Sequence, residues 1–275
     1  MIIYQTSLIG KRSSNEDQHQ IVLNMDNSNP KLKDINFFSI YDGHGGNKVA
    51  KFLKNNLSQY FLRKNIQYPL SENYINKVFN HLQKKLAIDH KDFAYASGST
   101  CLVLINFVIN KKSYIYIFNS GDCRAVICND NLPIPLTKDH KPEWPDEKNR
   151  ITKLGGEIYF DGSDYRIKDL SVSRAFGDID ASPYVTHLPD IFKHKITYND
   201  KFIVMACDGL WDVLQNSQVI NFILSKVKLI KNKKKNEGNY EVHCNDGRIN
   251  LAKCLAEYAI SEGSTDNITV IIIFL

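Results

Sequence analysis

The order of the predicted elements is the feature that most limits what this chain can fold into. Period-two alternation and β-branched enrichment predict strands over Ile2–Ile9, Gln18–Leu23, Ile35–Tyr41, Thr100–Ile109, Ser113–Asn119, Arg124–Cys128, Lys201–Cys207 and Asn267–Phe274. Two amphipathic helices fall between the third strand and the fourth. In the first, Val49, Phe52, Leu53, Leu57 and Phe61 recur at helical spacing; in the second, Ile75, Val78, Phe79, Leu82 and Leu86 do so behind a Ser71 N-cap. A third helix is expected near Ser217–Val227, and a fourth over Asn250–Ile260 carries Leu251, Cys254, Leu255 and Tyr258 on one face. Strict strand–helix–strand alternation is absent. That argues against a doubly wound parallel sheet and for an α+β fold of antiparallel sheets covered by helices.

No internal repeat and no Pro/Gly/Ser-rich linker divides the 275 residues, so a single domain over 1–275 is expected. Two stretches read as irregular. Pro133–Gly162 is rich in proline and charge and holds a Gly-Gly pair; Lys226–Gly247 opens with lysines 226, 228, 231, 233, 234 and 235 and is expected to be a solvated surface loop, an insertion around 226–248.

Composition excludes several classes. With 43% hydrophobic residues the chain is not generally disordered. Its longest nearly apolar run, Cys101–Ile109, is far too short to span a bilayer, and neither a charged-then-apolar opening nor a myristoylation site (residue 2 is Ile) is present, so no membrane partner is expected. The net charge of +5 comes from 28 Lys and only 7 Arg, which does not argue for nucleic acid. The six cysteines (101, 123, 128, 207, 244, 254) contain no C-x-x-C pair, so a reduced intracellular protein without zinc, cytoplasmic or nuclear, is the expectation.

The acidic residues point to chemistry. Asp42 ends an apolar strand and is followed by Gly43-His44-Gly45-Gly46; Asp208 ends a second and is followed by Gly209; Asp266 directly precedes the last strand. A carboxylate at the end of a buried strand is costly to desolvate unless a positive partner meets it. Three such carboxylates with almost no Arg nearby suggest a metal ion. Carboxylates without paired His or Cys suit hard Mg²⁺ or Mn²⁺ rather than Zn²⁺. Taken singly, each Asp is equally readable as a helix N-cap or a turn residue. Other polar clusters occur at Arg12–Asp17, which holds Glu16 and Asp17, at Gly121-Asp122-Cys123-Arg124 and at Ser171–Asp178.

In order along the chain, these blocks resemble the metal-dependent protein serine/threonine phosphatases of type 2C. The matching residues are Arg12 with Asn-Glu16-Asp17, Phe-Ser-Ile-Tyr-Asp42-Gly43-His44-Gly-Gly, Ser97–Thr100, Asn119–Arg124 and Leu136–Pro142. They continue through Arg150-Ile151 to Gly155-Gly156, Leu170–Asp178, Ala206–Asp212 and Ser264–Asn267. Any one block is weak; nine in order are specific.

The resemblance implies a four-layer α-β-β-α sandwich, two antiparallel sheets flanked by helices, with a short flap around 143–189. It implies a hydrolase acting on phosphoserine and phosphothreonine in protein substrates, working as a monomer. Two Mn²⁺ or Mg²⁺ ions per subunit, with a weaker third, would be held by Asp42 as the bridging ligand, the Gly43 carbonyl, Asp208 and Asp266. Glu16 and Asp17 would hold metal-bound waters, and Asp122 matches the position linked with the third ion. Arg12 would clamp the phosphate and His44 would protonate the leaving oxygen. In the family, a water or hydroxide bridging the two ions attacks phosphorus directly, without a phospho-enzyme intermediate. Thr100, Gly98 and Arg174 read as structural. Ile179–Pro189 is shorter than is common in animal members, so substrate preference does not carry over. An inactive scaffold with this fold should have lost metal ligands, yet Asp42, Gly43, Asp208 and Asp266 are present. A carboxylate-metal nuclease would need a basic groove with aromatic contacts, and the Lys run has only Tyr240 nearby.

Overall fold

The apolar run that leads to Asp42 forms a ten-residue strand, Leu32–Tyr41, buried from Asn36 to Tyr41 on both faces. The computed structural model describes residues 1–25, 29, 31–61, 63, 65–236 and 249–275, from 229 to 236 as backbone alone.

In chain order the elements begin with β1 (Ile2–Leu8), β2 (Gln18–Met25), β3 (Leu32–Tyr41) and the two-residue β4 (Gly43–His44). Helices α1 (Lys48–Asn56), α2 (Glu72–Asp89) and the short α3 (Lys91–Ala94) follow. Next come β5 (Gly98–Ser99), β6 (Cys101–Ile109), β7 (Lys112–Ser120), β8 (Arg124–Asn129) and β9 (Leu132–Pro135). Helix α4 (Pro145–Lys153) leads to β10 (Tyr159–Phe160), β11 (Tyr165–Arg166), β12 (Phe176–Gly177), β13 (Asp190–Lys195) and β14 (Asp200–Ala206). The chain closes with α5 (Asp208–Trp211), α6 (Asn216–Asn236), α7 (Leu251–Ser261) and β15 (Ile268–Phe274).

These elements form two units. One comprises Met1–Asn15, Arg124–Leu136 and Thr197–Leu275; the other comprises Glu16–Cys123 and Thr137–Ile196. The first holds a five-stranded antiparallel sheet in the order β1-β15-β14-β8-β9, the second a five-stranded antiparallel sheet in the order β13-β7-β6-β3-β2. The α+β class with antiparallel sheets is therefore as expected.

In the second unit alternate residues of the strands (Ile35, Phe37 and Tyr41; Val103, Ile105 and Phe107) join the apolar stripes of α1 and α2 in one core. The α2 stripe is fully formed: Ile75, Val78, Phe79, Leu82 and Leu86 are all buried, each contributing about 1.5–3 kcal/mol relative to exposure. Its cap is as predicted, Ser71 Oγ accepting from the Tyr74 N–H at 3.2 Å. In the first unit Leu251, Ala252, Leu255, Ala256 and Ala259 of α7 pack with Phe202, Val204, Ile268, Val270 and Ile272. Asn250 caps α7 by accepting from the N–H groups of Ala252 and Lys253.

Two expectations are corrected. The lysines from 226 to 235 do not form a loop, because α6 continues to Asn236. Lys is a good helix former, and cations near a helix C-terminus oppose the dipole favourably. Residues 237–248, the rest of that insertion, lie outside the described residues. The stretch Pro133–Gly162 is also more regular than expected. Pro133 and Pro135 lie on edge strand β9, where a missing N–H costs no ladder bond, and Pro145 opens α4 with Asp146 and Glu147 in its first turn and Arg150 and Lys153 in its last. Among the described residues no helix is long and apolar enough to cross a membrane.

Candidate active site

The second unit carries Glu16, Asp17, Asp42, Gly43, His44 and Asp122. Strand β3 delivers Asp42, and Thr100 grips its backbone from both sides. The Asp42 N–H donates to Thr100 Oγ1 at 3.0 Å and the Thr100 N–H donates to the Asp42 carbonyl at 2.9 Å. Thr100 thus holds the Asp42 backbone at both its N–H and its carbonyl. Asp17 and Asp42 bring carboxylate oxygens within 4.8 Å of one another, and Asp42 and Asp122 do the same. Asp17 and Asp122 are almost fully buried. Gly43 has no room for a side chain, since a Cβ there would meet the Glu16 carbonyl oxygen at 2.7 Å. The Glu16 carboxylate accepts from the Gly46 N–H at 3.0 Å, which ties the glycine turn to the first acidic block.

Asp122 has a cationic neighbour that sequence reasoning missed. Lys141 Nζ donates to its Oδ2 at 2.5 Å. Lys141 belongs to the Leu136–Pro142 block, which His140 fixes through a hydrogen bond between its Nδ1 and the Gly121 carbonyl at 3.0 Å. One of the carboxylates therefore already has a protein partner.

His44 turns its Nε2 onto Asp178, with 2.9 and 2.8 Å to the two carboxylate oxygens. Burial alone pushes the imidazole pKa down; the hydrogen bond and charge of Asp178, helped by Asp122 and Glu16, outweigh it and raise it above its ordinary value. Asp178 was visible in the sequence only as the last residue of the Ser171–Asp178 block. Gly98, read as structural, lies directly against this pair.

The first unit carries Arg12, Asp208 and Asp266. Arg12 Nη2 donates to Asp266 Oδ2 at 2.6 Å, and the Arg12 side chain is 59% exposed. The turn bearing Arg12 is braced by Asn267, whose Nδ2 donates to the carbonyls of Ile9 and Ser14 at 2.9 Å each. The sequence suggested no role for Asn267. Asp208 opens α5 directly after Cys207. Behind it, Ser264 Oγ donates to the Gly209 carbonyl at 2.7 Å, and a Cβ on Gly209 would meet the Asn267 carbonyl oxygen at 2.0 Å. Trp211 Nε1 donates to the Ala206 carbonyl at 3.0 Å. The Asp208 and Asp266 blocks are thereby locked together within this unit.

The flap of the second unit is held by ions. Glu147, nearly buried on α4, accepts from Arg150 at 2.8 Å and from Arg174 at 2.6 Å, while Arg174 also donates to Asp190 at 2.8 Å. Burial would raise the Glu147 pKa, yet Arg174 and Arg150 bring it down to about 2. Asp190, bonded by His140 and Arg174, is likewise lowered to about 2. Arg174 thereby ties Glu147 of α4 to Asp190 of β13.

The donors suit a hard divalent cation. Asp42 has carboxylate oxygens of both Asp17 and Asp122 within 4.8 Å, and among the described residues of this unit no His or Cys joins them. A family model described as protein phosphatase 2C matches residues 5–268. The chain is 47% identical over 180 residues to a PP2C-like domain-containing protein of Acanthamoeba polyphaga mimivirus, covering 60% of this chain and 96% of that protein. It is 38% identical over 230 residues to protein phosphatase 2C homolog 3 of Schizosaccharomyces pombe, covering 79% of this chain and 53% of the yeast protein, so it spans about half of that relative's length. Among solved structures, a phosphatase from a pathogenic strain of Toxoplasma gondii has the same fold, with a TM-score of 0.78 at 18% identity over 98% of this chain and 91% of that one. The chain belongs to the protein phosphatase 2C family, and with it to the protein serine/threonine phosphatases.

Proposed function

We propose that the chain is a single catalytic domain that hydrolyses phosphoserine and phosphothreonine in protein substrates, as a monomer inside the cell, using two Mn²⁺ or Mg²⁺ ions. The observation that carries this reading is the Asp42 carboxylate at the glycine turn, with the carboxylates of buried Asp17 and buried Asp122 each within 4.8 Å of it, in a chain of this family. Asp42, the Gly43 carbonyl, Asp208 and Asp266 would hold the ions. Glu16 and Asp17 would hold water around them, and Asp122 would serve a weaker third ion once Lys141 gives way. When bound, such ions lower the pKa of a coordinated water and offset the charge of the phosphate, which suits direct hydrolysis without a phospho-enzyme.

The remaining work falls to side chains of the chain itself. Arg12 is 59% exposed with one donor on Asp266, so its other N–H groups remain accessible to phosphate oxygens in the fork geometry that suits them. His44 would give a proton to the departing serine or threonine oxygen, a poor leaving group that needs one. Thr100 fixes the Asp42 backbone against drift.

The test is hydrolysis of p-nitrophenyl phosphate and of a phosphothreonine peptide with and without added Mn²⁺ or Mg²⁺. Activity should need the metal and vanish with a chelator. Full activity in Asp208→Ala would overturn the metal assignment, and absence of turnover at any metal concentration would favour an inactive scaffold.

A further inference from the structure

We infer that Asp178 is a positioning residue that fixes the orientation and tautomer of His44, so that Nε2 carries a structural proton and Nδ1 is the ring nitrogen that acts on substrate. The inference rests on the reading of His44 as the proton donor to the leaving oxygen, and it adds a residue with a stated job to that site.

The geometry is specific. Both Asp178 carboxylate oxygens lie within 2.9 Å of His44 Nε2, although the two residues are 134 positions apart. A carboxylate accepts and does not donate, so Nε2 must bear the hydrogen. That leaves Nδ1 as the only ring nitrogen able to exchange a proton with a reacting oxygen. The His44 side chain is 29% exposed and that of Asp178 only 2%, so the carboxylate sits beneath the ring, away from solvent.

Asp178 is itself held at several points. Its backbone is in the left-handed region, with φ 45°, a conformation costly for a residue with a Cβ and sustained only by surrounding bonds. Its N–H donates to the Ser97 carbonyl at 3.0 Å, and its carbonyl accepts from Ala181 at 3.0 Å. One residue earlier, the Gln83 side chain of α2 clamps Gly177 twice, donating to its carbonyl at 2.8 Å and accepting from its N–H at 2.9 Å. The pair also requires an empty place beside it. A Cβ on Gly98 would stand 2.1 Å from Asp178 Oδ2 and 2.6 Å from His44 Nε2. A helix, a left-handed residue and a glycine thus converge on one histidine ring. A carboxylate serving only to fill space would not need both oxygens at the nitrogen.

Two measurements test this. The first is the ¹⁵N chemical-shift pattern of the His44 ring in metal-free protein at pH 9, where the neutral imidazole should be the Nε2–H tautomer and should become a mixture in Asp178→Ala. A wild-type ring protonated at Nδ1, or a pattern unchanged by Asp178→Ala, overturns the inference whatever His44 does in catalysis. The second compares phenyl phosphate, a poor leaving group, with p-nitrophenyl phosphate, a good one, in His44→Ala, Asp178→Asn and the double variant. Asp178→Asn should lose about ten- to a hundredfold on the poor substrate and less than about threefold on the good one, with the double variant no worse than His44→Ala. A smaller folded fraction lowers both substrates equally, so misfolding cannot imitate this split. Leaving-group dependence in His44→Ala but not in Asp178→Asn sinks the inference and leaves the proton-donor reading standing. No dependence in His44→Ala sinks that reading instead, and the tautomer experiment then decides Asp178 alone.

Discussion

The guanidinium of Arg12 donates to Asp266 Oδ2 at 2.6 Å, joining two residues 254 positions apart, one expected to clamp phosphate and the other to hold a metal. The arginine places its positive charge directly on the Asp266 carboxylate. Removing Arg12 therefore has two opposite effects. Arg12→Ala should lower kcat/KM for a phosphopeptide about ten- to a hundredfold, the scale of one or two charge-assisted hydrogen bonds. The same variant should take up Mn²⁺ at least as tightly as the wild type by calorimetry, because a competitor for Asp266 is gone. Weaker uptake would count against this account of Asp266.

The clustered carboxylates predict a stability change that runs against intuition for a mutated active site. Asp42 has like-charged oxygens of Asp17 and Asp122 within 4.8 Å. Asp42→Asn removes one of these charges, so the metal-free variant should melt no lower than the wild type and by preference higher. Added Mn²⁺ should then raise the wild-type Tm, by an amount corresponding to about 2.7 kcal/mol at a hundred times its Kd, and leave the variant unmoved. Equal shifts for the two proteins would remove Asp42 from the ligand set.

Gly209 is required by space rather than by backbone angle. Its missing Cβ would sit 2.0 Å from the Asn267 carbonyl oxygen, a backbone atom that cannot rotate aside. Gly209→Ala should cost about 1–3 kcal/mol in urea denaturation, as overpacking does. Because the displaced strand end carries Asp266, activity should fall further than the lost stability explains. A neutral Gly209→Ala would mean that the 206–212 and 264–269 blocks yield independently.

The flap should be the acid-sensitive part of the molecule. Glu147 titrates at about 2 when folded, below its unfolded value near ~4.3, so its contribution is complete above ~4.3 and is lost as pH falls through 2. The shift is worth about 2–3 kcal/mol. Asp190 moves in the same direction and adds to the same window. Urea midpoints measured between pH 5 and 2 should fall steeply for the wild type and more shallowly for Glu147→Gln, which starts less stable. Parallel slopes would refute the assignment to Glu147.

The strands were readable because both faces of β3, β6, β14 and β15 are buried, which writes long apolar runs into the sequence. Helix α2 was readable to its cap for the same reason, a stripe of buried residues behind Ser71. Of the four edges of the two large sheets, β1 and β2 were read from the sequence while β9 and β13 hid themselves. Strand β9 is half proline, and β13, Asp190–Lys195, mixes charged residues with two apolar ones, because an edge is paired on one side only. The acidic ligands could be picked out by their place at strand ends. Their supports could not: Lys141 beside Asp122, Asp178 beneath His44 and Asn267 across the 9–14 turn act through contacts between distant residues. No local pattern announces a side chain whose only distinction is what it touches.

The division of the chain into units has a consequence for how such a protein can be inherited. The path passes from one unit to the other between Asn15 and Glu16, Cys123 and Arg124, Leu136 and Thr137, and Ile196 and Thr197. The first three crossings cut through motifs, separating Arg12 from Glu16, Asp122 from Arg124 and Leu136 from the rest of the Leu136–Pro142 block. A single break anywhere in the gene yields two fragments, and neither encodes both complete units. Recombination between diverged relatives at one point would therefore bring together strands that had not drifted side by side. Chimaeras of this domain should tolerate loop exchange and reject half-for-half exchange, so variation should accumulate by insertion between motifs rather than by swapping of parts.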